Sequence, residues 1–336
     1  MGSPTIPHLR DISSCFIRDA NLRIFIHAAN VYFFCVRQKI YLFLIDKASA
    51  SSHLCPMKMI CAAYAFLLMF WNVENFFEHR HCYRKSQSIA KTIFQAADGF
   101  GQLPDIIGLA EVENHSVLQN LLRWTSLSKH GYSIIHYDSP DRRGIDCALL
   151  YRKSRFREIS SKPCHIYAPD GKVLPTRDIL LALLQPLDSA GTGPVAVLVN
   201  HHPSKLGSAA ADRRRLAMER LLFLRDSLLA GGIDRIVAVG DFNDTVEPAA
   251  AVKAAYGKGE GTYKYQGEWD KIDGCPVLEG MEATEYIFSS PQAMVRDRTH
   301  GGIKPLRSFS GPHFQGGPSD HLPVVFQIKY LSLEDR

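Results

Sequence analysis

The chain predicts an α/β fold in which two packed, mixed β-sheets are flanked by helices. Three observations carry this expectation. Apolar, β-branched runs of strand length recur from residue 65 onward. Amphipathic segments of helical length lie between many of them. Several strands also come as neighbours around short polar turns. That is the pattern of antiparallel pairs, and a wholly parallel sheet would instead alternate strand and helix strictly.

In chain order, AFLLMFWNV (65–73) reads as a buried strand, with Asn72 near its end. Residues 86–97 predict a helix, with apolar or small side chains at Ile89, Ala90, Ile93, Phe94 and Ala97. DIIGLA (105–110) is a short buried strand that delivers Glu111, and residues 116–127 are helical. Residues 132–136 and 145–151 pair around the polar turn DSPDRRG, and 179–185 pairs with 195–200, which runs into His201. Residues 209–229 form the longest helix, basic near its start at Arg213–Arg215. IVAV (236–239) is a strand that opens onto GDFND, and residues 323–328 are the last strand. The Gly-rich segment 257–261 reads as a flexible loop.

The first 56 residues differ from the rest. Their apolar stretch between Phe25 and Ile45 is interrupted by Arg37 and Lys39, so each part is shorter than the ~20 residues that span a bilayer. The basic start and clean apolar run of a signal peptide are also missing. Residues 1–56 therefore read as an extension outside the native fold, with Met57 or Met59 as the functional start and 57–336 as one catalytic domain. The expected location is cytoplasmic by default. A net charge of +5 suits polyanionic partners without demanding them. Eight scattered cysteines without a CxxC or a Cys/His zinc spacing read as reduced, mostly buried thiols.

The functional signal is where the polar residues fall. Asn72, Glu111, His201, Asp241 with Asn243, and Asp320 with His321 all lie at or beside the ends of buried strands. Strand ends on one edge of a sheet bring distant residues to one place. Mg²⁺ wants few carboxylates, several waters and substrate phosphate oxygens, which Glu111 with Asn72 or Asp320 would satisfy. Glu113, two residues past Glu111, is an equal rival on sequence alone.

WNVEN (71–75), IGLAEVEN (107–114), RRGIDCALLYR (142–152), VNHHPSK (199–205), VGDFND (239–244), KID (271–273) and SDHLPVV (319–325) follow one another in order. Over residues 65–329 the chain resembles the endonuclease/exonuclease/phosphatase superfamily, and in particular a bacterial branch with no defined substrate. GDFND and SDHLPV together are a far stronger signal than either alone. The resemblance implies a four-layer, DNase I-like α/β/β/α sandwich and a Mg²⁺- or Mn²⁺-dependent phosphoric ester hydrolase.

Residue by residue, the resemblance implies that Glu111 binds the metal, with Asn72 beside metal and phosphate and Asp320 a further metal-associated acid. Asp241 and Asn243 match the pair that orients the attacking water, Asp241 taking its proton. His321 matches the histidine on the scissile phosphate, held by Asp273. His201 matches a histidine of the DNase and sphingomyelinase branches. Arg143 and Lys205 are candidate phosphate contacts, with surface cations as an equal reading. Tyr263 and Tyr265 could stack a base or headgroup, although alternation in TYKYQ also fits an exposed strand. His202 reads as a non-catalytic neighbour and Arg213–Arg215 as a solvated helix face.

The residue types fit the chemistry independently of the family. A phosphodiester's anionic oxygens repel a nucleophile, so cationic donors must neutralise charge as it develops, and a carboxylate must accept the water's proton. Two departures narrow the field. Abasic-site endonucleases carry an amide where His201 stands and a basic residue where Glu113 stands, which disfavours abasic-site repair. Inositol-polyphosphate phosphatases carry an aromatic–cysteine–aspartate–arginine box that this chain lacks. The leading expectation is a phosphodiesterase acting on nucleic acid as a monomer, with no protein partner indicated. The alternatives are a phosphomonoesterase or a sphingomyelinase-like phospholipase C on the same core, and, from another class, a catalytically silent binding protein.

Overall fold

The computed structural model describes residues 65–187, 193–205, 207, 209–245, 247–254 and 261–331, and the backbone of four strands between residues 17 and 44. The chain divides into two compact units, Met1–Met57 and Lys58–Arg336. In the first, Ile17–Asp19, Leu22–His27, Val31–Val36 and Lys39–Leu44 form an antiparallel meander in chain order, a sheet that the sequence reading had not assigned.

In the second unit, a seven-stranded sheet runs Val252–Ala254, Met281–Ile287, Val324–Tyr330, Phe66–Phe76, Ile106–Val112, Asp146–Arg152 and Tyr132–His136. A five-stranded sheet runs Asp273–Glu279, Ile236–Asp241, Val195–His201, Ile179–Pro186 and Phe156–Cys164. Both are mixed: Phe66–Phe76 is parallel to Ile106–Val112, Val195–His201 is parallel to Ile236–Asp241, and the remaining pairs of long strands are antiparallel.

Period-2 alternation sorts each strand's side chains between two cores. Phe66, Leu68 and Phe70 pack against Val195, Val197, Val199, Val237 and Val239 between the sheets. Leu67, Met69 and Trp71 face outward onto helices α1 (Cys82–Asp98) and α2 (His115–Trp124), with Ile89, Ile93, Val117 and Leu121. Ala196, Leu198, Ile236 and Ala238 face helix α3 (Ala210–Ala230) through Leu221 and Leu224. The order of layers is helices, sheet, sheet, helix, as the sequence predicts.

The differences from expectation are local. The first strand runs past Asn72 to Phe76, with its register broken between those two residues. Helix α2 ends at Trp124, and Thr125 then caps a separate 3-10 turn over Ser126–His130, so the helix predicted to 127 is two elements. Phe156–Cys164, an edge strand with few fully buried side chains, carries too little apolar signal to be read. The expected flexible loop at 257–261 lies outside the described residues except for Gly261. Cys82, Cys147, Cys164 and Cys275 are buried free thiols. Among the described residues no helix is long and apolar enough to cross a membrane.

Candidate active site

The alternation that builds the inter-sheet core also builds the site. The stripe Phe66, Leu68, Phe70 continues two residues on to Asn72, 2% exposed. Val195, Val197, Val199 continues to His201, and Val237, Val239 to Asp241, both buried. His201 and Asp241 are register partners on parallel strands. Each stripe thus ends in a polar side chain on the face between the sheets. Gly240 is required there by close approach: a Cβ would lie 2.5 Å from the Cβ of Asn200.

These side chains meet in a cleft of about 360 Å³ lined by Asn72, Glu111, Arg143, His201, Lys205, Asp241, Asn243, Asp320 and His321. Asn72 Nδ2 donates to Asp241 Oδ2 at 2.9 Å, and the Asn243 backbone N–H donates to Asp241 Oδ1 at 2.9 Å. His201 Nε2 lies 3.6 Å from Asp241 Oδ2 and 3.9 Å from Glu111 Oε1. His321 Nε2 lies 3.8 Å from Asp241 Oδ2, while its Nδ1 pairs with Asp273 Oδ2 at 2.9 Å. Every candidate residue from the sequence except Asp273 lines the cleft, and Asp273 sits behind His321.

Backbone strain concentrates at the same place. Five non-glycine residues among those described have positive φ, and Glu74 (47°), Asn75 (49°), Glu111 (64°) and Asn243 (50°) all line the cleft. Such conformations cost of order 1 kcal/mol or more each and persist where surroundings over-determine them. Glu111 is fixed by the Asn75 N–H on its Oε2 at 2.8 Å, and Asn243 by its own Nδ2 on the His202 carbonyl at 3.0 Å.

Burial sets the electrostatics. Asp241 is pushed up to about 7 by desolvation, then by the neighbouring Asp273 carboxylate. Burial also pulls His321 down, but Asp273 and Asp241 outweigh it and hold the imidazole well above its ordinary range. His201 goes the other way, well below its ordinary range, through burial and then the positive charges of Arg177 and Arg143. The two histidines of the cleft are therefore tuned in opposite directions.

The structure separates several rivals. Glu113 turns away and accepts the Glu78 N–H at 2.5 Å, so Glu111 alone of the two reaches the cleft. His202 stacks edge-on against Phe242 outside it. On α3, Arg214 pairs with Asp244 of the loop after Ile236–Asp241, and Arg215 pairs with Glu219 one turn on. Arg143 and Lys205 reach the cleft, each also paired with a carboxylate: Asp141 at 3.5 Å and Asp270 at 3.1 Å. Tyr263 lies tilted against the His321 ring at 4.8 Å, and Tyr265 is exposed at the rim.

Sequence reasoning missed Glu74, Lys85, Arg307 and Ser319. Ser319 Oγ donates to the Asn72 carbonyl at 2.6 Å and accepts the His321 N–H at 3.0 Å, joining the SDH turn to the first strand. WNVEN and SDHLPV contain two of these residues, Glu74 and Ser319, but neither matches a position to which the resemblance assigns a role.

The donor set fits a hard divalent cation. The carboxylates of Glu111 and Asp320 and the amide of Asn72 converge on one cleft, and Glu111 Oε1 faces it while Oε2 is held by the backbone. Asp241, Asp273 and His321 also place ligand atoms within 4.8 Å of one another.

Solved structures of the same fold include a mannosyl-6-phosphatase of Bacteroides thetaiotaomicron, at 14% identity and a TM-score of 0.53 over 79% of this chain and 100% of that one. The human Nocturnin catalytic domain with bound sulfate matches at 19% identity and 0.50, over 79% and 93%. Truncated TDP2 of Caenorhabditis elegans matches at 16% and 0.50, over 79% and 98%. No curated protein matches the chain. A model of the Endonuclease/Exonuclease/phosphatase family, whose superfamily hydrolyses phosphoesters, matches residues 70–254 and 247–330, and the chain belongs to that family.

Proposed function

We propose that the protein is a Mg²⁺- or Mn²⁺-dependent phosphodiesterase, acting on nucleic acid by direct attack of an activated water. The observation that carries this reading is the convergence on Asp241. Its carboxylate is fixed by Asn72 and Asn243, flanked by His201, and faced by a His321 that Asp273 orients. Asp241 accepts the proton of a water that Asn243 helps orient. His321, its Nδ1 held by Asp273, presents Nε2 to a phosphoryl oxygen. His201 borders the same oxygen cluster beside Glu111. Glu111, with Asn72 and Asp320 beside it, would hold a divalent ion, which when bound would supply neutralisation of charge on the phosphoryl group.

A second reading, a phosphomonoesterase acting on a small phosphoester, is favoured by the rim. Arg143, Lys205 and Arg307 are each already paired with a carboxylate, so the cleft mouth is not the unbroken basic groove that a polyanion would favour.

Full-length protein with Mg²⁺ or Mn²⁺, and with chelator as control, would be assayed on plasmid DNA, bis-p-nitrophenyl phosphate, p-nitrophenyl phosphate and sphingomyelin. Metal-dependent nicking that chelator abolishes supports the nuclease. Monoester hydrolysis without nicking moves the protein to the second reading, and lipid cleavage alone moves it to a phospholipase C-type enzyme. Inactivity on all four, with metal present, overturns both readings in favour of a binding protein.

A further inference from the structure

A charged cluster that the catalytic set does not use runs from Glu74 on the cleft wall into the buried chain behind it. Lys85, on α1, is 0% exposed. Its Nζ donates to the Glu74 carbonyl and to Ser308 Oγ, the latter at 2.7 Å. The Glu74 carboxylate accepts the Ser308 N–H at 2.5 Å and the Phe309 N–H at 3.4 Å. Ser308, also fully buried, donates its hydroxyl toward the carbonyls of Gly317 and Pro318 at 3.1 and 3.0 Å. This cluster ties together the two ends of the segment 308–318, which Arg307 and Asp320 flank.

A buried lysine beside a buried glutamate is costly to assemble. What the cluster achieves is the placement of Arg307. The guanidinium Nε lies 3.4 Å from Glu74 Oε1, and an Nη2 donor reaches Asp320 Oδ2 at 2.5 Å. The side chain is 48% exposed and lines the cleft beside Asp320 and Tyr263. Two carboxylates orient its planar five-donor fork while its outer face stays open to the cleft, the arrangement suited to bidentate capture of an anionic oxygen pair.

We propose that Arg307 is a phosphate-binding residue of the cleft, receiving anionic phosphoryl oxygens of the substrate, and that the buried Lys85–Glu74–Ser308 cluster positions it. This rests on the phosphoester reading above and adds a specific cation to it. An arriving phosphate takes over from Asp320 as the anion on the guanidinium, while Glu74 keeps hold of Nε.

The test uses full-length protein, Arg307→Gln and Arg307→Lys. Inorganic phosphate is titrated calorimetrically in chelator, so that only the chain's own residues are read, and KM and kcat are measured on bis-p-nitrophenyl phosphate with metal. Arg307→Gln is expected to weaken phosphate binding and raise KM by about tenfold or more, with kcat within about threefold. Arg307→Lys should fall between, because it keeps the charge and loses the fork. Thermal melts of both variants should match the parent, since the side chain is half exposed. Absence of phosphate binding by the parent, or equal binding by Arg307→Gln, overturns the assignment. Phosphate binding that depends on Arg307 in a protein that hydrolyses no phosphoester would sink the catalytic reading and leave this one standing.

Discussion

The two walls of the cleft are built in different ways. One wall is made of strands: Asn72, His201 and Asp241 are the last members of apolar stripes and arrive by regular two-residue alternation. The other is made mostly of loop: Arg307, Asp320 and His321 come from chain outside the main strands, and Tyr263 opens a short two-stranded ribbon of Tyr263–Tyr265 with Glu268–Asp270. Sheet geometry places the first wall, and hydrogen bonds from Asn72 and Asn243 hold Asp241 in it. The second wall is placed by buried polar contacts, from Ser319 to Asn72, from Trp71 Nε1 to the His321 carbonyl at 2.9 Å, and from Lys85 and Glu74 to Ser308. Rigid strands therefore hold the proton acceptor, while a clamped loop brings the donors to it.

The largest effects should come where the walls meet. Asp241→Asn removes the proton acceptor while keeping shape and the Asn72 contact region, and turnover should fall by roughly 10²–10⁴-fold or more with folding intact. His321→Ala should cost a similar factor from the opposite wall. Parallel kcat measurements and thermal melts would check both, and substantial activity in either variant would show that the walls do not share one reaction. In chelator all remaining turnover should vanish, and activity that persisted there would remove the divalent ion from the mechanism.

The strand wall was legible in the sequence because its rule is local. IVAV followed by GDFND, and VAVLVN followed by HH, show an apolar stripe stopping at a polar residue of the same parity. The loop wall was legible only in part. SDHLPV announced Asp320 and His321 by resemblance, yet nothing local tied them to Arg307 or Glu74. Glu74 is the lone acid of WNVEN, with nothing beside it to mark it as buried, and Lys85 looks like one of the cations in RHCYRKSQ. Their burial depends on contacts with residues more than two hundred positions away in sequence, such as Glu74 with Ser308 and Lys85 with Ser308. No periodicity in either segment encodes such a contact. Asn243 and Glu111 were found as residue types, but their left-handed backbone was not foreseen, because neither is glycine.

An intermediate effect is expected at Asp273, which belongs to the five-stranded sheet but acts on the loop wall through His321. Asp273→Asn keeps a hydrogen-bonding group beside Nδ1 but withdraws the charge that favours the cationic imidazole. Turnover should fall by roughly 10–100-fold, the scale seen when a partner orienting a functional histidine is removed. The loss should be in kcat, because Asp273 does not line the cleft. A loss as large as that of His321→Ala would mean that the imidazole has no function without its carboxylate, and no loss would mean that the Trp71 and Ser319 contacts suffice to aim it.

The smallest effect tests the clamp itself. Ser308→Ala deletes the hydroxyl that accepts from Lys85 and donates to the carbonyls of Gly317 and Pro318, leaving one donor direction of a buried ammonium unfilled. Denaturant unfolding should show a loss of about 1–3 kcal/mol. Because Ser308 touches neither the proton acceptor nor the phosphate, kcat should change by no more than a few-fold, and KM should move in the same direction as in Arg307→Gln but less. Stability lost with KM unchanged would make the clamp purely structural. KM raised by the same factor as in Arg307→Gln would mean that the loop wall moves as one body and that strand and loop walls differ in rigidity as well as in origin.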